Sequence, residues 1–394
     1  MYDLIVRNAR LYSMSGDASL SRHTAFAVRD GVIAAFDPPP DAPATETVDA
    51  EGQIVLPGFI DCHTHALYAG DRMAEHKLRL GGMSYADIAR QGGGIATTVA
   101  AVRAASEEQL VAETLPRLMA LAREGVTTVE IKSGYGLTFD DELKMLRAIR
   151  ALGAHVAMEI VPTFLGAHAV PRDSERKRYL SEVVDRMLPA VAAAGLAEAA
   201  DIFVESIAFD TADMERLFRR AAELGLSLRA HTDQLSNMGA TRLAAELGAL
   251  SCDHLEYMTE EDASAMARNG TVAVLLPGAF YFLRETRKPP VELLREHGIP
   301  IAVATDLNPG SSPIASLLAA MHMSTILFGL TAEEALLGVT LNAARALGKQ
   351  DTIGSLAVGK RADFTFWDLP APEFLVYQLG GLEPSAVFYR GQLA

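Results

Sequence analysis

Short apolar runs alternate with helical stretches through the middle of this 394-residue chain. Eight runs predict strands: Ile54–Ile60, Thr127–Ile131, Val156–Phe164, Ile202–Ile207, Leu226–Ala230, Leu250–Cys252, Val272–Leu276 and Ile299–Ala304. The stretches between most of them predict helices: Glu107–Glu124, Asp141–Leu152, Glu175–Ala194, Asp213–Leu224, Ala240–Leu247 and Glu260–Arg268. Apolar strands that alternate with helices indicate a parallel sheet, and eight repeats indicate a closed (β/α)8 TIM barrel. The alternative, an open doubly wound sheet, has no glycine-rich phosphate loop in the sequence to support it.

The two ends of the chain have a different pattern, with short strands between glycine and proline residues. Strands are predicted at five places: Asp3–Val6, Ala25–Val28, Gly31–Phe36, Asp363–Asp368 and Ala386–Tyr389. Because both ends share this β-rich character, they predict one small β-sandwich domain built from residues 1–55 and 346–394. The TIM barrel then occupies residues 56–345.

The charge balance limits the partners that the protein can bind. Lys and Arg number 35 against 50 Asp and Glu, a formal net charge of −15, which argues against nucleic acid and anionic membranes. The stretch between Asp306 and Glu333 carries no charge, but its prolines, serines and histidine predict a buried helix rather than a membrane span. With two cysteines and no secretory signal at its start, the chain is predicted to be cytoplasmic.

The strongest chemical signal directly follows the first of the eight predicted strands, where His63 and His65 are separated by one residue. Side chains alternate across a strand, so these two histidines face the same way. They could share a metal ion, or they could be a pair of hydrogen-bonding histidines. His231, His254 and Asp306 also follow predicted strands, and a TIM barrel gathers its chemistry at these C-terminal strand ends. Three imidazoles and one carboxylate around an open position predict a Zn²⁺ or Fe²⁺ site that activates water.

Seven motifs go beyond this general pattern: Leu56–His65, Gly354–Asp363, Gly92–Ile95, Lys132–Gly136, Thr163–His168, Asp253–Glu256 and Asp306–Gly310. The first two resemble general features of the amidohydrolase superfamily. The other five are similar to the imidazolonepropionase family within that superfamily. The resemblance covers essentially the whole length of the chain.

The resemblance implies a set of site residues and a cofactor. The implied metal ligands, for one Zn²⁺ or Fe²⁺/Fe³⁺ ion per chain, are His63, His65, His231 and Asp306. The implied substrate contacts are Arg72, Tyr135, His168, Gln234, Asn308, Gly310 and Ser311. A homodimer acting on a small-molecule substrate is also implied.

The reaction that the resemblance implies is hydrolytic opening of 4-imidazolone-5-propanoate to N-formimidoyl-L-glutamate, a step of histidine degradation. Water activated at the metal would attack the ring carbonyl with Asp306 as its base. His254 would polarise the carbonyl and stabilise the oxyanion. Arg72 can hold the propionate carboxylate in a bidentate fork. Gln234 cannot titrate, so it is expected to orient the substrate or the water.

Several alternatives stay open at this point. Another amidohydrolase reaction, such as purine or pyrimidine deamination, is the first, although a deaminase would be expected to have a titratable residue where this chain has Gln234. A barrel that serves only as an assembly scaffold is the second. Glu205 could bridge a second metal ion, although a mononuclear site is simpler. The glycines at 92–94 could form a mobile loop over the barrel mouth or a plain linker.

Overall fold

A computed structural model of the protein describes residues 1–15, 20–83 and 93–394. These residues form the following strands: β1 Tyr2–Arg7, β2 Arg10–Leu11, β3 Phe26–Arg29, β4 Val32–Phe36, β5 Ala44–Asp49, β6 Ile54–Pro57, β7 Phe59–Asp61, β8 Val126–Lys132, β9 Glu159–Ala167, β10 Ala199–Ile202, β11 Ser227–Thr232, β12 Ser251–His254, β13 Val272–Leu275, β14 Ile301–Val303, β15 Phe364–Trp367, β16 Ala386–Tyr389 and β17 Gln392–Leu393.

The α-helices of the described residues lie mostly between the barrel strands. They are α1 Met73–Leu80, α2 Ile95–Ala104, α3 Glu107–Arg123, α4 Phe139–Leu152, α5 Arg176–Glu182, α6 Leu188–Ala193, α7 Thr211–Glu223, α8 Ala240–Glu246, α9 Glu260–Asn269, α10 Pro277–Leu283, α11 Val291–Glu296, α12 Leu317–Met323, α13 Ala332–Gly338, α14 Leu341–Ala346 and α15 Phe374–Tyr377. Side-chain caps fix several helix starts. Ser106 accepts a hydrogen bond from Gln109 N at the start of α3, and Thr138 accepts one from Asp141 N at the start of α4.

Eight parallel strands, β7 to β14, pair in chain order. The segments that follow the first and last of them are joined at the barrel mouth, because Asp306 N donates to His63 O at 3.1 Å and His65 N donates to Leu307 O at 3.0 Å. The predicted TIM barrel is therefore confirmed, and an open doubly wound sheet is excluded. The C-terminal ends of all eight strands point to this mouth.

The two chain ends form two small sheets that pack on a common core. One sheet has the order β4-β3-β1-β5, and the other has the order β17-β16-β15-β6-β2, so that it combines both ends of the chain. Leu4 and Phe26 from the first sheet and Val55, Phe364 and Phe388 from the second are buried in one cluster. This arrangement is the predicted β-sandwich.

The prediction of a single strand over Ile54–Ile60 is wrong. This apolar run forms two strands, which belong to different sheets. β6 pairs antiparallel with β15 of the sandwich, and β7 pairs parallel with β8 of the barrel. Gly58 lies between them, where a Cβ atom would come within 2.2 Å of Thr127 Oγ1. Only glycine permits this close approach, so the chain changes sheets at Gly58.

Other predicted elements also have different bounds in the structure. The strand predicted at Val156–Phe164 is β9, which lies three residues further along the chain. The predicted strand Ile202–Ile207 lies too far along the chain, since β10 ends at Ile202 and the following residues turn into the barrel mouth. The predicted helix Glu175–Ala194 consists of α5, a π-helical turn Val183–Met187, and α6. Pro189, which has no N–H to donate, lies at the start of α6.

The uncharged stretch before Glu333 forms α12, a π-helical turn Ser324–Phe328 and connecting segments. Within the described ranges, no helix is long and apolar enough to cross a membrane.

Candidate active site

Four side chains at the barrel mouth converge on one point. His63 and His65 follow β7, His231 belongs to β11, and Asp306 follows β14. Asp306 Oδ1 lies 3.5 Å from His63 Nε2 and 3.5 Å from His65 Nε2, and His231 Nε2 lies 3.3 Å from His65 Nε2. All four side chains are buried. The structure thus brings together the four residues that were predicted as metal ligands.

The donor atoms of this cluster fit a metal ion. His63 Nδ1 lies 2.6 Å from an Asp253 oxygen, and His231 Nδ1 lies 3.0 Å from an Asp201 oxygen. Each carboxylate holds a proton on Nδ1 and leaves the Nε2 lone pair for the centre of the cluster. His63 Nε2 is buried and has no hydrogen-bond partner among the described residues. Nitrogen lone pairs beside a carboxylate are the donors that Zn²⁺ and Fe²⁺ prefer.

The protonation states of His63 and His65 fit a metal site. Burial holds the pKa values of His63 and His65 well below the usual range, so both rings are neutral. The pKa of His231 is raised above its usual value. Burial, the largest single influence, lowers it, but the charge and hydrogen bond of the neighbouring Asp201 carboxylate outweigh burial. Burial raises the pKa of Asp306 to about 7. A bound cation would favour the ionised carboxylate and lower this pKa.

A cavity of about 880 Å³ opens above the cluster. Its wall contains every residue predicted for substrate contact or catalysis: Arg72, Tyr135, His168, Gln234, His254, Asp306, Asn308, Gly310 and Ser311. His65 and His231 also reach this wall, whereas His63 is fully buried. A small organic molecule in this cavity would lie within reach of both the predicted contact residues and the histidine–aspartate cluster.

Arg72 contributes a guanidinium to the wall of this cavity. Its guanidinium pairs with Glu75 and lies 3.4 Å from Thr98 Oγ1. Glu75 also accepts hydrogen bonds from Gly94 N and Thr97 Oγ1, so it ties Arg72 to the start of α2. A Cβ at position 310 would lie 3.3 Å from Arg72 Nη1, so Gly310 leaves room for the guanidinium. The guanidinium N–H groups that Glu75 and Thr98 do not use can donate hydrogen bonds to an anionic group in the cavity.

The cavity wall that carries Tyr135 is shaped by a buried carboxylate. Glu142 accepts hydrogen bonds from the backbone N–H groups of Gly134, Gly136 and Leu137 at 2.8–3.0 Å. Gly134 has a φ of 109° and approaches Leu165 O too closely for a side chain. His168 Nδ1 lies 3.1 Å from Gly134 O, and burial lowers the pKa of His168 to about 3. Sequence reasoning gave Glu142 no role.

The loop that carries Gln234 is held by Glu205. One Glu205 oxygen accepts hydrogen bonds from Leu235 N at 2.8 Å and Ser236 N at 3.2 Å, and the other accepts one from Ser236 Oγ at 2.6 Å. Both oxygens are therefore engaged by the loop. These contacts argue against Glu205 as the bridge to a second metal ion, because they hold its carboxylate against the two residues that follow Gln234.

Asn308 also holds a loop rather than only facing the cavity. Its Oδ1 accepts hydrogen bonds from Gly310 N and Ser311 N, and its Nδ2 donates to Asp306 O at 2.7 Å. Both ends of the amide are thus used to fold the segment after β14. Asn308 contributes to the site chiefly by shaping the wall beside Arg72.

Two residues of the site have strained backbone conformations. His254 has a φ of 81° and Asp306 a φ of 52°, values that non-glycine residues rarely adopt. Burial holds the pKa of His254 well below its usual range, so the ring is neutral. Its Nδ1 has no hydrogen-bond partner within the part of the chain that the structure describes. Such strain is typical of functional sites.

A buried ionic network lies next to the cluster. It consists of Glu130 and Lys132 on β8, Asp201 on β10, Arg229 on β11 and Asp253 on β12. Sequence reasoning gave none of these side chains a role. A signal was present, since Glu130 lies inside an otherwise uncharged predicted strand and Lys132 lies two residues further on, on the same face.

Glu256, two residues after His254, leads to a prediction on stability. It is buried, and burial raises its pKa to about 8. Because the Glu256 pKa is higher in the folded protein than in the unfolded chain, folding favours the protonated carboxyl. The free energy of unfolding is therefore greatest below about pH 4.5 and falls as the pH rises through 8. We expect Glu256→Gln to be more stable than the parent by about 4 kcal/mol at pH 8 and by no more than about 1 kcal/mol at pH 5. Thermal unfolding at both pH values measures this. An equal difference at the two values would contradict it.

The fold and the cluster define a metal-dependent hydrolase with a TIM barrel, and comparisons with known proteins agree. Residues 54–394 match the family model described as the amidohydrolase family. An imidazolonepropionase of Bradyrhizobium sp. strain BTAi1 is 53% identical over 388 residues, which cover 96% of each chain. The imidazolonepropionase of Methylobacterium nodulans is 53% identical over 401 residues, covering 99% of each. The chain belongs to the amidohydrolase family and, within it, to the imidazolonepropionase family.

Solved structures resemble the chain in fold. An adenosine deaminase from Xanthomonas campestris with bound zinc has a TM-score of 0.71 at 21% identity, covering 100% of this chain and 92% of that one. A 5-methylcytosine deaminase from Klebsiella pneumoniae has a TM-score of 0.75 at 16% identity, covering 99% of this chain and 97% of that one. At these identities the likeness concerns the fold alone.

Proposed function

We propose that the protein hydrolyses the cyclic amide bond of 4-imidazolone-5-propanoate and releases N-formimidoyl-L-glutamate. One observation supports this most strongly: a single cavity joins the histidine–aspartate cluster to the guanidinium of Arg72. The substrate has the two matching groups, a ring amide to be attacked and a carboxylate to be anchored. The names of relatives at 53% identity agree with the proposal.

The residues that would hold the metal ion are His63, His65, His231 and Asp306. A bound Zn²⁺ or Fe²⁺ supplies Lewis acidity that makes water nucleophilic near neutral pH. We propose one ion per chain. The Glu205 carboxylate is engaged by the Gln234 loop, and the Asp201 carboxylate already has a cation beside it, the ammonium of Lys132 at 2.9 Å.

The proton transfers fall to Asp306. Its carboxylate lies at the centre of the cluster and in the cavity wall, so it can accept a proton from the attacking water. The same proton then goes to the ring nitrogen as the carbon–nitrogen bond breaks. A neutral His254 still has one N–H, which can donate to the developing oxyanion.

The remaining wall residues position the substrate. Arg72 binds the propionate through the N–H groups that Glu75 does not use. Tyr135 and His168 lie side by side, with ring centroids 5.4 Å apart, and can enclose the imidazolone ring. Gln234 orients the ring through its amide, which can donate and accept hydrogen bonds but cannot exchange a proton with the substrate.

The runner-up, purine or pyrimidine deamination, has less support. Its solved representatives share the fold at 16–21% identity. Deamination needs a group that delivers a proton to the departing ammonia, and the residue three positions after His231 is the amide Gln234. The homodimer and the cytoplasmic location stay predictions, and light scattering on the purified protein would test the first.

Arg72→Met tests the carboxylate anchor. The change keeps much of the side-chain volume but removes the fork, so kcat/KM should fall by about 2–4 kcal/mol, or roughly 30- to 1,000-fold. Metal content should not change. Arg79→Met is the matched control, because Arg79 lines the same cavity but stacks on Phe282 and donates to its carbonyl oxygen. A kinetically silent Arg72→Met would show that the substrate carboxylate binds elsewhere.

A further inference from the structure

Lys132, the last residue of β8, ends in a cage of carboxylates inside the barrel. Its Nζ lies 2.9 Å from a Glu130 oxygen, 2.9 Å from an Asp201 oxygen and 4.0 Å from an Asp253 oxygen. The Lys132 side chain is fully buried, as are those of Glu130 and Asp201. Burial, the largest influence, would lower the pKa of Lys132, but the surrounding carboxylates raise it above its usual range. The side chain is therefore a permanent cation in a dry environment.

Each of these three carboxylates also holds part of the metal-binding cluster. Asp253 is bonded to His63 Nδ1 at 2.6 Å, and Asp201 is bonded to His231 Nδ1 at 3.0 Å. Glu130 accepts a hydrogen bond at 3.1 Å from the backbone N–H of Thr64, the residue between the two histidines of the first strand end. One ammonium group is thus linked through three carboxylates to His63, His65 and His231.

The charges explain why this arrangement needs a cation. Three buried carboxylates would repel one another, and a buried carboxylate without a counter-ion takes up a proton or moves. Asp201, His231 and Asp253 have donor atoms close enough together to hold a metal ion by themselves. The Lys132 ammonium already supplies positive charge next to both of these aspartates. Arg229, 3.3 Å from Glu130, is the second cation of the network.

We propose that Lys132 is a positioning residue of the metal centre, a fixed internal cation that orients the ligand histidines through Asp253, Asp201 and Glu130. This inference rests on the proposed function, since it needs the metal site formed by His63, His65, His231 and Asp306. Lys132 does not line the cavity, so it acts through its neighbours and not on the substrate.

The test measures binding of Co²⁺ alone, with no substrate. Apoprotein is titrated against a chromophoric chelator to obtain the Co²⁺ dissociation constant, and the visible spectrum of the loaded protein reports the ligand geometry. Lys132→Met removes the charge and keeps the length of the side chain. Lys349→Met is the matched control, because Lys349 also pairs with two carboxylates, Glu159 at 2.8 Å and Glu198 at 3.0 Å, away from the cluster.

We expect Lys132→Met to weaken Co²⁺ binding by about 10- to 100-fold, the usual effect of losing an outer partner of a metal ligand, and to shift the cobalt bands. Lys349→Met should change neither. The charge-balanced double variant Lys132→Met/Glu130→Gln removes one cation and one anion together, so its net charge equals that of the parent. It should still bind Co²⁺ at least about 10-fold more weakly, because Asp201 and Asp253 still lack their cation.

Parental affinity and spectrum in Lys132→Met, or their recovery in the double variant, would overturn the inference. If the metal-free forms of both variants were unfolded, the inference would be overturned too, because Lys132 would then be required for folding as such. If His63, His65, His231 and Asp306 are not the metal site at all, a different result is expected. In that case His63→Ala would bind Co²⁺ as tightly as the parent, whatever the result at Lys132.

Discussion

Replacing His63 with alanine is expected to remove the metal ion and abolish turnover. His63 is fully buried, and its Nε2, which has no hydrogen-bond partner in the described part of the chain, faces the same carboxylate oxygen as His65. Loss of an outer partner of a metal ligand typically costs about 10- to 100-fold, so loss of a ligand itself should cost more than about 1,000-fold in kcat/KM. Elemental analysis and initial rates on the same sample measure both effects.

His297→Ala is the control for this replacement. His297 pairs with Glu260 at 2.7 Å outside the barrel mouth, so its loss should leave metal content and rate unchanged. A His63→Ala protein that keeps its metal ion and most of its activity would contradict the assignment of the cluster. Two tightly held metal ions per chain in the parent would contradict the mononuclear proposal.

Asp306→Asn should separate metal binding from proton transfer. The amide has the shape of the carboxylate and can still place an oxygen in the cluster, but it cannot accept a proton from water. We expect excess Zn²⁺ to restore the metal content of this variant while kcat stays at least about 100-fold below the parent value, as general acid–base catalysis contributes about 10²–10⁴-fold. The rate and the metal content are measured together along a Zn²⁺ titration. Recovery of the rate along with the metal would show that Asp306 is only a ligand.

The barrel could be predicted from the sequence because each strand is an apolar run and each helix is locally encoded. The division of Ile54–Ile60 into β6 and β7 could not. Both halves are equally apolar, and what separates them is pairing with β15, about 300 residues further along the chain. The early end of β10 has a similar cause, because Glu205 is drawn into the mouth by backbone groups of the Gln234 loop.

Strand parity and the rule that barrel chemistry lies at C-terminal strand ends placed His63, His65, His231, His254 and Asp306 at the barrel mouth. The family resemblance then implied which four of them are metal ligands. Their supporting partners could not be predicted in this way. The contact of His63 with Asp253 joins residues 190 positions apart, and the pairing of Lys132 with Asp201 depends on how neighbouring strands are staggered. Pairings of this kind appear only when the barrel closes.

The pairing of Arg72 with Glu75 is a different case. The two residues are three positions apart at the start of α1, a spacing that commonly brings opposite charges together. The sequence therefore contains a signal for this ion pair, in addition to the prediction that Arg72 anchors the substrate.

The glycine loop at 92–94 lies partly outside the described residues, since Gly92 is not among them. Gly94 has a φ of 79° and its N–H donates to Glu75. A mobile loop over the barrel mouth and a plain linker therefore both stay as hypotheses.

The most direct test of the central claim is an assay of both possible products with the purified, metal-loaded protein. In ring opening the leaving nitrogen stays attached to the product, whereas a deaminase releases one ammonia per turnover. The conjugated imidazolone ring absorbs light, so its loss can be followed while ammonia is measured in parallel. We expect metal-dependent loss of imidazolone absorbance, formation of formimidoylglutamate and no ammonia above the spontaneous background. Stoichiometric ammonia from a purine or pyrimidine, with imidazolone propanoate left intact, would contradict it.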